Sequence, residues 1–118
     1  MNWYMAKIVF RIICGEGNHT PQFEEQIRLI HATDANEAFE KARSIGETNE
    51  IIFLNHRRQE VQWQFVNVAE LNRLSGLDHG AELFSHIHEA DEAEQYIELI
   101  NDKAETIRSA IFTPAPAR

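Results

Sequence analysis

The N-terminal part of the chain alternates between apolar and mixed positions in a way that predicts two β-strands. From Tyr4 to Cys14 every even-numbered residue is apolar or aromatic, whereas the odd positions include both Trp3 and Lys7. A period of two with one wholly apolar set predicts a strand whose even-numbered side chains face the core. Residues 15–21 contain two glycines, an asparagine and a proline, so we expect a turn and a hairpin with a second strand at 22–32.

The second predicted strand has apolar residues on both of its faces. We assign Phe23, Ile27 and Leu29 to the core face because they share one parity. The reverse face would then carry Glu24, Gln26, Arg28 and Ile30.

A helix with recognisable end signals is predicted to follow. Asp34 can accept hydrogen bonds from the first free amides, and Glu37 stands at the spacing of a capping box. Gly46 is interpreted as the C-terminal stop. Apolar residues recur at helical intervals between these two points, at Ala35, Ala38, Phe39, Ala42 and Ile45.

The remaining pattern predicts three more strands and one more helix. Residues 51–54 are a short apolar run, and residues 61–68 alternate until Val66 and Val68 break the parity, which indicates a bulge or a strand covered on both faces. Alternation resumes at 81–89. A long helix opens at Asp91, and its apolar stripe consists of Ala93, Tyr96, Ile97, Ile100, Ala104, Ile107 and Ile111.

These elements predict an α+β fold. We expect a mainly antiparallel five-stranded sheet with two helices packed on one face. The sequence is expected to form a single domain over residues 1–112, followed by a flexible, proline-containing tail at 113–118.

Two helices cover only one face of such a sheet, so the reverse face is predicted to stay open. Trp, Met and Arg are enriched at protein interfaces, and an exposed apolar patch commonly marks one. We therefore expect a non-enzymatic binding module that associates with itself as a homodimer, or with an unidentified protein. The residues assigned to this surface are Trp3, Met5, Arg11, Gln26 and Arg28. Arg11, Gln26 and Arg28 together could also hold a small anionic ligand.

Composition limits the other classes of partner. Among 118 residues there are 11 Lys and Arg against 19 Asp and Glu, a formal net charge of -8. That balance argues against nucleic acid. No apolar stretch is long enough to span a membrane. The single cysteine, Cys14, fits a reducing compartment, and we expect a cytoplasmic protein.

One group of residues offers an alternative, a small metal-assisted hydrolase-like enzyme. His79, Glu82, His86 and His88 are possible metal ligands. His86 and His88 would be about 7 Å apart along a strand, so both rings must tilt inward to share one ion. We assign no metal, no cofactor and no catalytic residue, and we favour a protein that is not an enzyme.

Four segments carry a resemblance to a known family. They are residues 2–11 (with NWY and AKIVFR), 17–30 (GNHTPQFEEQIRLI), 63–68 (WQFVNV) and 80–85 (GAELFS). Together they resemble a family of small bacterial proteins named only as domain of unknown function 4288. The resemblance implies a cytosolic α+β domain and supplies no catalytic motif.

Overall fold

A computed structural model describes residues 1–112, which form four strands and two helices. In chain order these are β1 (Asn2–Cys14), β2 (Gln22–Ala32), α1 (Ala35–Thr48), β3 (Ile51–Leu54), β4 (Glu60–Arg73) and α2 (Ala93–Phe112). The strands form one curled, fully antiparallel sheet in the order β2-β1-β4-β3. The predicted tail at 113–118 lies outside the described residues.

The prediction of an α+β fold is confirmed, whereas the prediction of five strands is wrong. Residues 81–90 have no regular secondary structure. Gly80 turns the chain with a left-handed φ of 82°, and the ring of Phe84 then lies 5.7 Å from the Lys7 ammonium on one face of the sheet. Phe84 therefore lies over a sheet face, and residues 81–85 do not extend a sheet edge.

The chain divides into two compact units. The first, Met1–Ser85, contains the whole sheet and α1, and the second begins at His86 and contains α2. Within the first unit, α1 contributes to the sheet's core, as predicted. That residues 1–112 form a single domain stays a prediction.

The core of the first unit lies between α1 and one face of the sheet, here called the inward face. Even-numbered residues of β1 supply its centre, as predicted, and Ile8 and Phe10 are fully buried. Ala38 and Ala42 of α1 are also fully buried. Small side chains on the buried side of α1 allow the helix to lie close to the sheet.

The helix start was predicted correctly, and the predicted helix stop was not. The Asp34 carboxylate accepts a hydrogen bond from the Glu37 amide at 2.8 Å, and α1 continues past Gly46 to Thr48. Gly46 is buried, and a Cβ atom at this position would collide with the ring of Phe65. The glycine is thus needed for close packing of α1 on β4, and it does not end the helix.

The face assignment of β2 was wrong. Ile30 and Ala32 are buried in the core, whereas Phe23, Ile27 and Leu29 are exposed. The reason is the two-residue connection between Ala32 and α1, which places the last residues of β2 beneath the helix. Because side chains alternate, Glu24, Gln26 and Arg28 share the inward face with Ile30.

The broken parity in β4 corresponds to irregular pairing with β1. The register shifts between Lys7 and Ile8 and again between Val9 and Phe10. These shifts confirm the predicted bulge. They also allow five apolar residues of β4 to face the core despite their uneven spacing: Val61, Trp63, Phe65, Val68 and Leu71.

Candidate interaction surface

The strand β2 forms one edge of the sheet and carries exposed apolar side chains. It pairs with β1 along almost its whole length, and no strand pairs with its other side within residues 1–112. On the outward face, opposite α1, Phe23 is 57%, Ile27 55% and Leu29 51% exposed. An unpaired edge with apolar side chains is a template for pairing with another chain. We call residues 23–29 the β2 edge.

The inward-facing side chains of the β2 edge are polar and are hydrogen-bonded to one another along the strand. Gln26 donates from Nε2 to the Glu24 carboxylate. Arg28 donates to Gln26 Oε1 from Nε at 3.1 Å and from Nη2 at 2.9 Å. An acid, an amide and a guanidinium therefore stand in one row, with opposite charges at its two ends.

The outward face is more covered than the sequence indicated. Met5 is only 3% exposed, and the backbone N–H of the buried Leu74 donates to the Trp3 carbonyl at 2.8 Å. Lys7 lies between Glu25 and Glu70, at 3.9 and 3.4 Å, near the Phe84 ring. Met5 is thus covered, whereas the outward-facing Trp3 and Arg11 of β1 are exposed.

The five predicted binding residues do not share one surface. Trp3, Met5 and Arg11 have outward parity on β1. Gln26 and Arg28 lie on the inward face, opposite Ile8 and Ala6 in the register with β1. Their assignment to the same face as Trp3 was wrong, and the guanidinium groups of Arg11 and Arg28 do not converge on one anion. Glu24, which the sequence analysis did not select, completes the inward row.

The opposite edge of the sheet is shorter and wholly apolar. β3 has four residues, from Ile51 to Leu54, and all four are exposed. The Phe53 ring stacks on Trp63 at a centroid distance of 5.7 Å. β3 is therefore a second unpaired edge among the described residues, and it carries no charge that could set a register.

Two loops at one end of the sheet enclose an open pocket of about 740 Å³. The Cys14 thiol donates to Gln59 Oε1 at 3.6 Å, and the Cys14 amide donates to His19 Nε2 at 3.0 Å. His19 Nδ1 is 2.9 Å from the Thr20 carbonyl, so both ring nitrogens have polar partners within the loop. This imidazole is used to close the loop, and Gly17 completes the turn with a φ of 82°.

The histidine group proposed as a metal site is divided between the two units. His79 and Glu82 belong to the first unit, and His86 and His88 to the second. His86 and His88 stack at 5.4 Å, and His88 also meets the Tyr96 ring edge-on at 5.0 Å. Within residues 1–112 no three His, Cys, Asp or Glu residues are grouped as metal ligands would be.

Neither helix in residues 1–112 combines the length and apolar character needed to cross a membrane. No curated protein and no solved structure matches the sequence. A family model described as domain of unknown function (DUF4288) matches residues 3–85, which include α1, the segment carrying Phe84 and all four strands except Asn2 at the start of β1. The chain therefore belongs to the DUF4288 family.

Proposed function

We propose that this protein is a non-enzymatic interaction module that forms a homodimer through the β2 edge. The observation that carries the proposal is the pattern of this one strand, which is complementary to itself. A two-fold symmetric dimer brings the same patch of both copies together. The residues of the patch must therefore be complementary to the same residues read in the opposite direction. The side chains of the β2 edge, half-buried on the inward face and exposed on the outward face, meet that requirement in one particular register.

In that register the two strands run antiparallel and the two-fold axis passes through Gln26. Residue numbers that add to 52 then face each other across the junction. Glu24 of one copy lies opposite Arg28 of the other, and this pair occurs twice. Side chains directly opposite in antiparallel strands have Cβ atoms about 4.5–5.5 Å apart, which is within ion-pair reach. The inward row would thus continue from one copy into the next.

On the outward face the same register places Phe23 opposite Leu29 of the second copy, again twice, so these two apolar side chains pack across the junction. Ile27 lies opposite Glu25, also twice. A register centred one residue later, on Ile27, places Phe23 opposite His31 and Glu24 opposite Ile30, and it loses the charge pair. Centring on Gln26 therefore gives the Glu24–Arg28 charge pairs and the Phe23–Leu29 apolar pairs together.

A charge-swap series tests the proposal. Sedimentation equilibrium at micromolar concentration is expected to give a dimer for the wild type. Glu24→Arg or Arg28→Glu places like charges opposite each other twice per dimer, and each is expected to weaken association about tenfold. The double variant Glu24→Arg/Arg28→Glu restores opposite charges and is expected to restore the dimer.

Two further variants serve as controls. Glu16→Arg makes the same charge change in the β1–β2 loop and is expected to leave association unchanged. Ile52→Asp places a charge on the β3 edge and is also expected to have no effect. A wild-type monomer, or a dimer that Ile52→Asp disrupts and Glu24→Arg does not, would contradict the proposal.

A further inference from the structure

The helix α2 has a continuous apolar stripe that is exposed. Ile97, Ile100, Ile107 and Ile111 have exposed side chains, and Ile107 is 60% exposed. The second unit, which contains α2, begins just beyond the last residue matched by the family model. A helix whose apolar stripe is not buried needs a partner to cover it.

The stripe has the spacing of a coiled-coil seam. Its residues are separated by four, three, four, three and four positions: Ala93, Ile97, Ile100, Ala104, Ile107 and Ile111. This spacing repeats every seven residues, which is the heptad pattern with apolar a and d positions. Ile97, Ala104 and Ile111 occupy the a positions, and Ala93, Ile100 and Ile107 the d positions.

From this pattern we infer that α2 pairs in an antiparallel orientation with α2 of a second copy. The seam residues are symmetric about residue 102. In an antiparallel pair centred there, a residue of one helix faces the residue of the other helix that brings the sum of their numbers to 204, and each a position then faces a d position. Ile97 then faces Ile107, and each alanine of the seam faces an isoleucine. Every layer contains at least one isoleucine, whereas a parallel pair would stack Ala93 on itself and Ala104 on itself and leave gaps.

Charge selects the same orientation. In an antiparallel pair the positions that follow d face each other, so Glu94 of one helix lies beside Arg108 of the other, twice per dimer. One Lys103 pair meets at the two-fold axis. In a parallel pair Lys103 would lie beside Arg108 twice, and no opposite charges would face each other. The antiparallel pair therefore has two attractions against one repulsion, and the parallel pair has two repulsions.

This pairing does not depend on the β2 edge, and it uses a different unit of the chain. One pair of neighbouring residues gives a matched test, because Ile100 lies in the seam and Leu99 lies outside it, and both are exposed. Ile100→Asp is expected to weaken association by at least about tenfold, since it places two charges in the apolar seam. Leu99→Asp adds the same charge and is expected to change nothing.

Orientation is tested by exchanging charges. Arg108→Glu is expected to weaken association several-fold, and Glu94→Arg/Arg108→Glu to restore it. Equal effects of Ile100→Asp and Leu99→Asp would overturn the pairing, as would no effect of either. Failure of the exchanged pair to restore association would overturn the antiparallel orientation.

Combining these variants with Glu24→Arg separates the two proposals. If α2 pairing is correct and β2 pairing is wrong, Glu24→Arg has no effect and Ile100→Asp alone gives monomer. If β2 pairing is correct and α2 pairing is wrong, Ile100→Asp has no effect and Glu24→Arg alone gives monomer. If both are correct, each chain has two separate self-association surfaces, each single variant weakens association, and only the combination of variants gives monomer. Sedimentation equilibrium of the full chain, with helix content checked by circular dichroism, measures all three cases.

Discussion

The helices α1 and α2 have similar sequence patterns and different surroundings. Both are amphipathic, but α1 buries Ala38 and Ala42 against the sheet, whereas the isoleucines of the α2 stripe are exposed. A helical period shows which side of a helix is apolar, and it does not show what covers that side. The sequence pattern predicts that both stripes pack on one face of the sheet. The exposed stripe is now interpreted as a surface for a second copy.

The largest expected difference between the two regions is in stability. Phe10→Ala removes a fully buried side chain, which meets the ring of Phe65 edge-on at a centroid distance of 6.1 Å. We expect the free energy of unfolding to fall by about 3–5 kcal/mol. The matched change in α2, Ile107→Ala, removes an exposed side chain.

For Ile107→Ala we expect the free energy of unfolding of the sheet-containing unit to change by less than about 0.5 kcal/mol. Urea denaturation, monitored by the fluorescence of Trp3 and Trp63, measures the free energy of unfolding of both variants. The fluorescence reports on the first unit because both tryptophans lie in it. A loss for Ile107→Ala as large as that for Phe10→Ala would contradict the distinction between the two helices.

The next largest effect is expected where α1 approaches β4 most closely. Gly46→Ala places a methyl group against the Phe65 ring and is expected to lower the free energy of unfolding by about 1–3 kcal/mol. Gly76→Ala is the control, since the nearest atom to its new methyl group is Asp78 Oδ1 at 3.9 Å. Equal unfolding curves for the two variants would show that α1 does not pack as described.

A smaller effect is expected at the start of α1. Asp34→Ala removes the acceptor for the Glu37 amide and is expected to lower the free energy of unfolding by about 1 kcal/mol. Asp34→Asn keeps an acceptor oxygen and is expected to retain most of the stability. Chemical denaturation of both variants checks this order, and a reversed order would show that the cap does not contribute.

The smallest effect concerns Glu37 and depends on pH. The Thr33 hydroxyl donates to the Glu37 carboxylate at 2.7 Å, and Lys41 approaches it at 2.9 Å; together they lower the pKa of Glu37 from 4.5 to about 2. A lowered carboxyl pKa means that the stabilisation is complete above pH 4.5 and is lost as the pH falls toward 2. Glu37→Gln is expected to reduce this pH dependence. The midpoint of thermal unfolding is measured for the wild type and for Glu37→Gln between pH 5 and 2. The same dependence of the midpoint on pH in both proteins would contradict the assignment.

The strands show where alternation is sufficient to predict a face. In β1 the even set is wholly apolar, and its inward direction was predicted correctly. In β2 apolar residues occur on both parities, so counting them favoured Phe23, Ile27 and Leu29. The decisive signal was the short connection from Ala32 to the helix cap at Asp34, which places the end of β2 beneath α1.

The candidate surface was predicted only in part for the same reason. Gln26 and Arg28 were selected, but they were assigned to the outward face together with Trp3, and Glu24 was not selected. The sequence pattern already placed Glu24, Gln26 and Arg28 on one face of β2, and the correct direction of that face would have separated them from Trp3. The position of Phe84 beside Lys7 could not be predicted, because residues 81–85 alternate like a strand and yet form none.

Amide hydrogen exchange along β2 tests the central proposal most directly. The proposed dimer turns an edge strand into an interior strand, so the β2 amides that point away from β1 are predicted to become more protected as protein concentration rises. In Glu24→Arg this dependence on concentration is predicted to shift to higher concentration, and in Glu24→Arg/Arg28→Glu to return to that of the wild type. Exchange of these amides at the same rate at every concentration, in a protein that sediments as a dimer, would contradict pairing through the β2 edge.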